Sequence, residues 1–208
     1  MPIDASGIRI PVLHADALVG RWCPLVDFKA IFLTGFLDTE ATLNGAEFQQ
    51  LAKLCSLDIS FNRLTSLRNL HTARELRELK AYNNKITTTK GLKANGILET
   101  VLLQENQIES ISEDFLGLPK LKTLWLNGNR ISAVQHLTAC RLLVHLDLSR
   151  NRLRGSVAEG LESLSSLEYL NLSGNELSSI GNIAHLTKLE ELNIANNKFA
   201  TLEGSSRK

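Results

Sequence analysis

The chain has 208 residues, of which 43% are apolar and 22% are charged, and this composition excludes disordered and collagen-like classes. Its 23 basic and 22 acidic side chains leave a net charge of +1, which disfavours nucleic acid as the primary partner. Leucine accounts for 39 residues, and 33 of them follow residue 50, so an internal repeat is expected in that part of the chain.

Residues 1–50 lack the leucine-rich pattern and contain three of the four prolines. We predict that they form an N-terminal cap, because an array of repeats exposes its core at each end. Within the cap, residues 28–33 are predicted to form a degenerate first strand, and residues 46–51 a helical turn leading into the first full repeat. The large apolar side chains assigned to the cap core, rather than to partner contacts, are Trp22, Phe28, Phe32, Phe36 and Phe48.

From residue 54 onward one pattern recurs, L-x-x-L-x-L-x-x-N-x-L, with other apolar residues replacing some leucines. The L-x-L core alternates with a period of two, which predicts a short strand with one buried face. The asparagine follows the strand, where its carboxamide can both donate to and accept from neighbouring loop backbone. We therefore predict a structural asparagine ladder rather than catalytic or ligand-binding asparagines. The asparagines are separated by 22, 22, 23, 22, 24 and 22 residues and are Asn62, Asn84, Asn106, Asn129, Asn151, Asn175 and Asn197.

After each asparagine, apolar residues at wider intervals predict short helices or helical turns on the outer side. A single coil cannot bury its apolar stripe, whereas stacked coils share one continuous core. The predicted fold class is therefore α/β, a solenoid with parallel strands on the concave face and short helices or helical turns on the convex face. Seven repeats occupy residues 51–202, and residues 203–208 form a short C-terminal tail.

Residues 54–202 are identified by this pattern as a leucine-rich-repeat region. The 22-residue period and the short segment after each asparagine resemble the intracellular class that includes the leucine-rich regulatory subunit of protein phosphatase 1, the axonemal dynein leucine-rich light chain and the U2 snRNP A-prime protein. The resemblance implies a regulatory or scaffold protein that binds other proteins and uses no cofactor. It implies a phosphatase catalytic subunit or a cytoskeletal motor component as the leading partner.

The residues between the buried leucines must face the concave side, because side chains alternate along a strand. Trp125 lies between Leu124 and Leu126, and Leu102 occupies the same position one repeat earlier, so the two exposed side chains should lie about 5 Å apart. Folding does not require an indole there. A clustered exposed aromatic indicates a binding site, and the alternative is a ring that merely lies flat over its neighbours.

Other exposed side chains of the strands complete the predicted site. Four basic and eight acidic side chains at these positions give the concave surface a net charge of −4, which should attract basic partner surfaces. Asp58 and Lys80 are expected to pair across neighbouring strands. The predicted protein-binding residues are Trp125, Leu102, Tyr82, Phe61, Tyr169, Lys80, Glu105, His145, Asp147 and Arg150.

A hydrolase is an alternative because His145, Asp147 and Ser149 point to one face of one strand. Each two-residue step along a strand spans about 6.6 Å, so His145 and Ser149 should lie about 13 Å apart, whereas triad members need contacts of about 3 Å. The chain also carries no phosphate-binding loop, metalloprotease or dinucleotide fingerprint. We therefore predict a non-enzymatic protein.

The three cysteines, Cys23, Cys55 and Cys140, are odd in number and far apart, which indicates reduced thiols and no zinc site. The sequence shows no secretory signal and no apolar stretch of about 18 residues, so we expect a location in the cytoplasm or cytoskeleton, with the nucleus as an alternative, and no membrane partner. Two functional alternatives stay open, namely a ribonucleoprotein assembly subunit of the U2 A-prime type and a homo-oligomer closed through the seventh repeat.

Overall fold

The computed structural model describes residues 3–4, 30–32, 54–68 and 70–199. Nine of the described strands form one parallel sheet that follows the chain order, and β8 and β10 form a separate two-stranded parallel sheet. The strands are β1 (Ile3–Asp4), β2 (Ala30–Phe32), β3 (Ser56–Asp58), β4 (Glu78–Lys80), β5 (Thr100–Leu102), β6 (Thr123–Trp125), β7 (His145–Asp147), β8 (Arg154–Gly155), β9 (Tyr169–Asn171), β10 (Glu176–Leu177) and β11 (Glu191–Asn193).

The repeats stack in register, so equivalent leucines lie directly beside one another. Leu57, Leu79, Val101, Leu124 and Leu146 pair in sequence across β3 to β7 and are all buried. In the repeats, β3 to β7, β9 and β11 are each three residues long, because only the L-x-L core of a repeat is extended before the chain turns away. The leucine-rich-repeat solenoid predicted from the sequence is therefore confirmed.

The convex side contains little regular helix. The helical segments in the described residues are two 3-10 helices, Leu70–Thr72 and Glu113–Gly117, and one four-residue α-helix, Ala158–Leu161. The other repeats close through turns. Large side chains from this side, such as Phe115 and Leu161, still reach the common core, so each coil is packed on both sides of its interior.

The ladder asparagines bond to the backbone of two successive repeats. The Nδ2 of Asn129 donates to the carbonyl oxygens of Leu126 in its own repeat and Leu103 in the preceding one, at 2.9 and 3.0 Å. Its Oδ1 accepts from the Ile108 N–H of the preceding repeat at 2.9 Å. The same bonds to the preceding repeat recur at Asn84, Asn106, Asn151, Asn175 and Asn197.

The residue before each ladder asparagine has a left-handed backbone, which turns the chain out of the strand. Its φ lies between 52° and 67° in all seven repeats. Left-handed φ values favour glycine and asparagine and are unusual for bulky side chains. The residues at this position are Phe61, Asn83, Glu105, Gly128, Arg150, Gly174 and Asn196.

The second sheet joins the longest repeat, in which Asn151 and Asn175 are 24 residues apart, to the repeat that follows it. There β8 pairs with β10, joining Arg154 to Glu176 and Gly155 to Leu177. The sequence pattern did not predict it, because Arg154 and Gly155 are both exposed and show no apolar alternation.

The two ends of the array are described to different extents. β2 lies within the predicted strand 28–33 and pairs with β3. The side chains assigned to the cap, the turn at 46–51 and the tail at 203–208 lie outside the described residues, so the domain boundaries stay predictions. At the other end Leu192 is exposed, although its equivalents in β3 to β9 are buried, and a homo-oligomer through this repeat likewise stays a prediction.

Candidate functional site

Trp125 stands exposed on the outward face of β6 between two buried leucines. Its side chain is 41% exposed, whereas Leu124 and Leu126 are fully buried. The strand register places Leu102 and Asp147 directly beside Trp125 on the neighbouring strands. The indole is therefore flanked by an apolar side chain on one side and a carboxylate on the other.

Phe61 and Tyr82 form a second exposed aromatic contact. Their rings meet edge to face with centroids 5.2 Å apart, and Phe61 is 56% exposed. Phe61 also has a left-handed backbone with φ of 56°. This conformation costs an ordinary side chain roughly 1 kcal/mol, so stability alone does not favour a phenylalanine here.

His145 and Tyr169 lie beyond Trp125, at the first positions of β7 and β9. Their rings are 6.3 Å apart, and the register pairs the two residues directly. Asn171 Nδ2 donates to both the Tyr169 hydroxyl and Asp147 Oδ2, each at 3.3 Å. Asp147 Oδ1 accepts from the backbone N–H of Ser149 at 2.8 Å, so this carboxylate is oriented by its own strand.

The four basic side chains of the concave surface all form ion pairs. Lys80 pairs with Glu78 at 3.0 Å, and both Arg77 and Lys122 pair with Glu99, at 3.0 and 2.7 Å. Arg150 pairs with Glu105 two repeats away. This last pair passes over Gly128, where an added Cβ would lie 2.5 Å from the Glu105 carboxylate.

These pairs lower the pKa of two of the carboxyl groups. Hydrogen bonds from Lys122 and Arg77 lower the pKa of Glu99. Burial acts to raise the pKa of Glu78, but the Ser56 hydroxyl and the Lys80 ammonium together outweigh it and lower the pKa. Both groups are therefore held as carboxylates at neutral pH.

The predicted pair between Asp58 and Lys80 is wrong. Asp58 is buried, and its carboxylate accepts from the backbone N–H of Ser60 at 3.0 Å. Lys80 instead reaches Glu78, which lies on the same face of its own strand. Because Asp58 is buried and Lys80 has a carboxylate partner on its own strand, Asp58 does not belong to the exposed surface.

Four acidic side chains of the concave surface form no ion pair with any described residue. They are Asp147, Glu168, Glu190 and Glu191, which we call the acidic end. All four belong to the repeats of β7, β9 and β11. The negative charge of the concave surface is therefore concentrated at one end of the sheet rather than spread along it.

The arrangement around His145 does not resemble a hydrolase site. Asp147 bonds to the backbone of Ser149 rather than to a histidine ring, and Ser149 is buried. Cys140 is buried with its Sγ 3.5 Å from the Phe115 carbonyl oxygen, and burial raises the pKa of this thiol to about 12. The described residues include no group of three metal-ligating side chains, and no described helix is long and apolar enough to cross a membrane.

Two features of the surface were missed by the sequence reasoning. Glu168, Glu190 and Glu191 were counted as charges but not assigned to the site, because a count cannot show which acids are neutralised. Gln104 lies beside Tyr82 in the next repeat, and its Oε1 has no hydrogen-bond partner among the described residues. No pattern in the sequence distinguishes this glutamine from a solvated one.

Comparisons with known proteins agree with the repeat architecture. Models of leucine-rich repeats match residues 98–139, 142–164 and 165–207. Lumican of Rattus norvegicus is 31% identical over 160 residues, which are 76% of this chain and 46% of that protein, so the chain spans about half of this relative. Lumican of Oryctolagus cuniculus is 34% identical over 143 residues, covering 67% of this chain and 72% of the relative's sequence.

Two further similarities extend the comparison. A 187-kDa microtubule-associated protein of Arabidopsis thaliana is 32% identical over 106 residues, which are 50% of this chain and 6% of that protein. The structure of a leucine-rich-repeat protein of Leptospira interrogans superposes with a TM-score of 0.75 at 28% identity, covering 84% of this chain and 44% of that one.

Proposed function

We propose that this chain, which belongs to the leucine-rich-repeat family, is a non-enzymatic scaffold that binds a partner protein on its concave sheet surface. Leucine-rich-repeat domains commonly mediate protein–protein interaction, and the parallel sheet offers a continuous surface for it. The observation that carries the proposal is Trp125, a large aromatic side chain exposed beside Leu102 where packing does not require it.

The expected contribution of Trp125 to binding is large. Tryptophan buries roughly 150–250 Å² when fully covered, and exposed aromatics in a cluster are typical of binding hot spots. At about 25 cal/mol per Å², covering the exposed part of the indole and the neighbouring leucine is worth about 2 kcal/mol or more. Phe61, Tyr82 and Tyr169 extend the apolar contact, and Lys80, Glu105, His145, Asp147 and Arg150 surround it.

For the partner itself, we propose a phosphatase catalytic subunit or a cytoskeletal complex inside the cell, with this chain as the regulatory subunit. The repeat spacing, close to 22 residues, supports this reading, as does the similarity to a microtubule-associated protein. Co-sedimentation with microtubules and phosphatase assays of purified complexes would separate the two partner classes. A ribonucleoprotein role is less favoured because an acidic surface repels phosphate backbone, and a steep salt dependence of RNA binding would support that alternative instead.

The proposal is tested by affinity purification with three forms of the full chain. Wild type and Trp125→Ala are compared with Leu142→Ala, which removes a similarly exposed apolar side chain outside the strands. We expect Trp125→Ala to recover the partner at least about tenfold less efficiently, and Leu142→Ala to match wild type. Equal recovery by wild type and Trp125→Ala would overturn the proposal.

A further inference from the structure

Six exposed or half-exposed side chains cross the concave surface on a single oblique line. One comes from each of six consecutive repeats, and their position moves in steps of zero to two residues from three residues beyond the end of β3 to the start of β9. We call this line the diagonal. Its members are Phe61, Tyr82, Leu102, Trp125, His145 and Tyr169.

The contacts along the diagonal join its six members into three pairs on neighbouring repeats. Phe61 contacts Tyr82, Leu102 pairs in register with Trp125, and His145 pairs with Tyr169. Five strand spacings of about 4.8 Å and a shift of five residues along the strands give a length of about 29 Å. An extended polypeptide of about nine residues has this length.

The charges beside the diagonal are not symmetrical. Glu78, Glu99 and Glu105, which flank its middle, are neutralised by ion pairs with basic side chains of the chain itself. The acidic end, Asp147, Glu168, Glu190 and Glu191, lies in the repeats of β7 to β11, on one side of Trp125. The strand register places Asp147 directly beside Trp125, and Glu191 directly beside Tyr169.

We infer that the diagonal binds an extended segment of the partner protein that carries apolar side chains along its length and a lysine or arginine at the end lying over β9 and β11. The inference rests on the proposed function and specifies the chemistry of the partner. Apolar and aromatic groups of the diagonal cover the apolar side chains. Charge complementarity selects a cation at one end, because the carboxylates of the acidic end form no ion pair with any described residue.

A second copy of this chain fits the acidic end poorly. If β11 of one copy paired with β11 of another about a two-fold axis, the exposed Glu190 and Glu191 of both copies would be brought to the same short seam, and a register centred on Glu191 would place two carboxylates directly opposite. Like charges facing one another across strands are destabilising. A basic partner segment relieves the same repulsion.

Selection from a phage-displayed library of random dodecapeptides on the immobilised full chain tests the inference. Synthetic versions of the selected peptides are then measured by fluorescence anisotropy against three variants. The first is Trp125→Ala. The second neutralises the acidic end with Glu168→Gln, Glu190→Gln and Glu191→Gln. The third is the matched control Glu109→Gln, Glu159→Gln and Glu162→Gln, which changes the total charge equally through exposed acids away from the sheet.

We expect selected peptides to combine apolar residues with a lysine or arginine near one end. Neutralising the acidic end should lower the affinity of these peptides for the chain roughly tenfold. The matched control should leave the affinity within about twofold of wild type. Replacing the basic residue of the peptide by alanine should cause a similar loss on wild type and little further loss on the neutralised variant.

The outcomes separate this inference from the proposed function. Peptides that depend on Trp125 but show no basic residue, or that bind both triple variants equally, overturn the basic-segment inference and leave the concave binding surface supported. Selected peptides that bind Trp125→Ala as tightly as wild type, or a failure to select any peptide, count against both. Circular dichroism of each variant confirms that folding is retained.

Discussion

The inward-facing and outward-facing columns of the solenoid are built on the same backbone but follow different rules. The column through Leu124 contains only leucine or valine from β3 to β9, and the ladder column contains only asparagine. The outward column through Trp125 contains, in successive repeats, a carboxylate, an ammonium, a leucine, an indole, a second carboxylate and two carboxamides. Folding therefore constrains the inner columns, and an outward side chain of unusual chemistry needs a cause other than folding.

Substitutions at the adjacent residues Leu124 and Trp125 test the difference between the inner and outer columns most directly. Leu124→Ala should lower the free energy of unfolding by about 3–5 kcal/mol, because it leaves a cavity in the shared core. Trp125→Ala should lower it less, by about 1–2 kcal/mol, because the indole is 41% exposed and only the covered part of the side chain contributes to folding. Urea unfolding followed by circular dichroism measures both. Comparable losses for the two variants would show that the outward column also supports the fold.

Removing a ladder asparagine should cause the next largest loss in the free energy of unfolding. Asn129→Ala should cost about 2–3 kcal/mol, because it leaves the Ile108 N–H and the Leu103 carbonyl of the preceding repeat buried without their partner. Asn127→Ala, two residues earlier on the outward side, is the matched control and should cost less than about 0.5 kcal/mol. The same unfolding measurement applies. A loss below about 1 kcal/mol for Asn129→Ala would mean that water replaces the ladder bonds.

Gly128→Ala tests the outward edge of the ladder. The left-handed φ of 67° should cost about 1 kcal/mol with a Cβ present, and displacement of the Glu105 carboxylate from Arg150 should add a few tenths. The cost of displacing the Glu105 carboxylate should disappear when Gly128→Ala is introduced into a chain that already carries Glu105→Ala, whereas the cost of the left-handed φ should remain. If the substitution costs the same in both backgrounds, the ion pair over Gly128 contributes nothing.

The smallest effect is a dependence on pH. The folded chain lowers the pKa of Glu78 below its ordinary value of 4.5, so this group adds stability that is fully present above that value. The stabilisation is lost as the pH falls through the folded pKa, because the Glu78 carboxyl is then protonated in the folded chain as well and no longer attracts the Lys80 ammonium. The difference in unfolding free energy between wild type and Glu78→Gln should therefore shrink between about pH 7 and about pH 3. A difference that stays constant would place the role of Glu78 in packing.

The fold was predictable from the sequence because each repeat carries the same signal. Seven asparagines at near-constant spacing and the L-x-L alternation determine the strands, their register and the buried columns. The same alternation indicated which residues face outward, and Trp125 is exposed as the alternation requires. Side-chain parity depends only on the strand period, so it can be read without tertiary information.

The contacts on the surface were less predictable, because they depend on distances between repeats and on competition for partners. The sequence suggested that Asp58 pairs with Lys80, but a backbone N–H holds Asp58 instead. The pairing of Arg150 with Glu105 requires a glycine between them, which no charge pattern reveals. The small sheet of β8 and β10 was also missed, because two-residue strands carry no periodicity.

At Phe61, the residue that would be best for stability differs from the residue that would be best for binding a partner. Asparagine or glycine would adopt its left-handed backbone with less strain, and four of the other six repeats use one of those two residues there. Mutagenesis that selects only for heat resistance should therefore replace this phenylalanine. The resulting variant would be more stable than wild type and, if the diagonal binds its partner as inferred, would bind that partner with lower affinity.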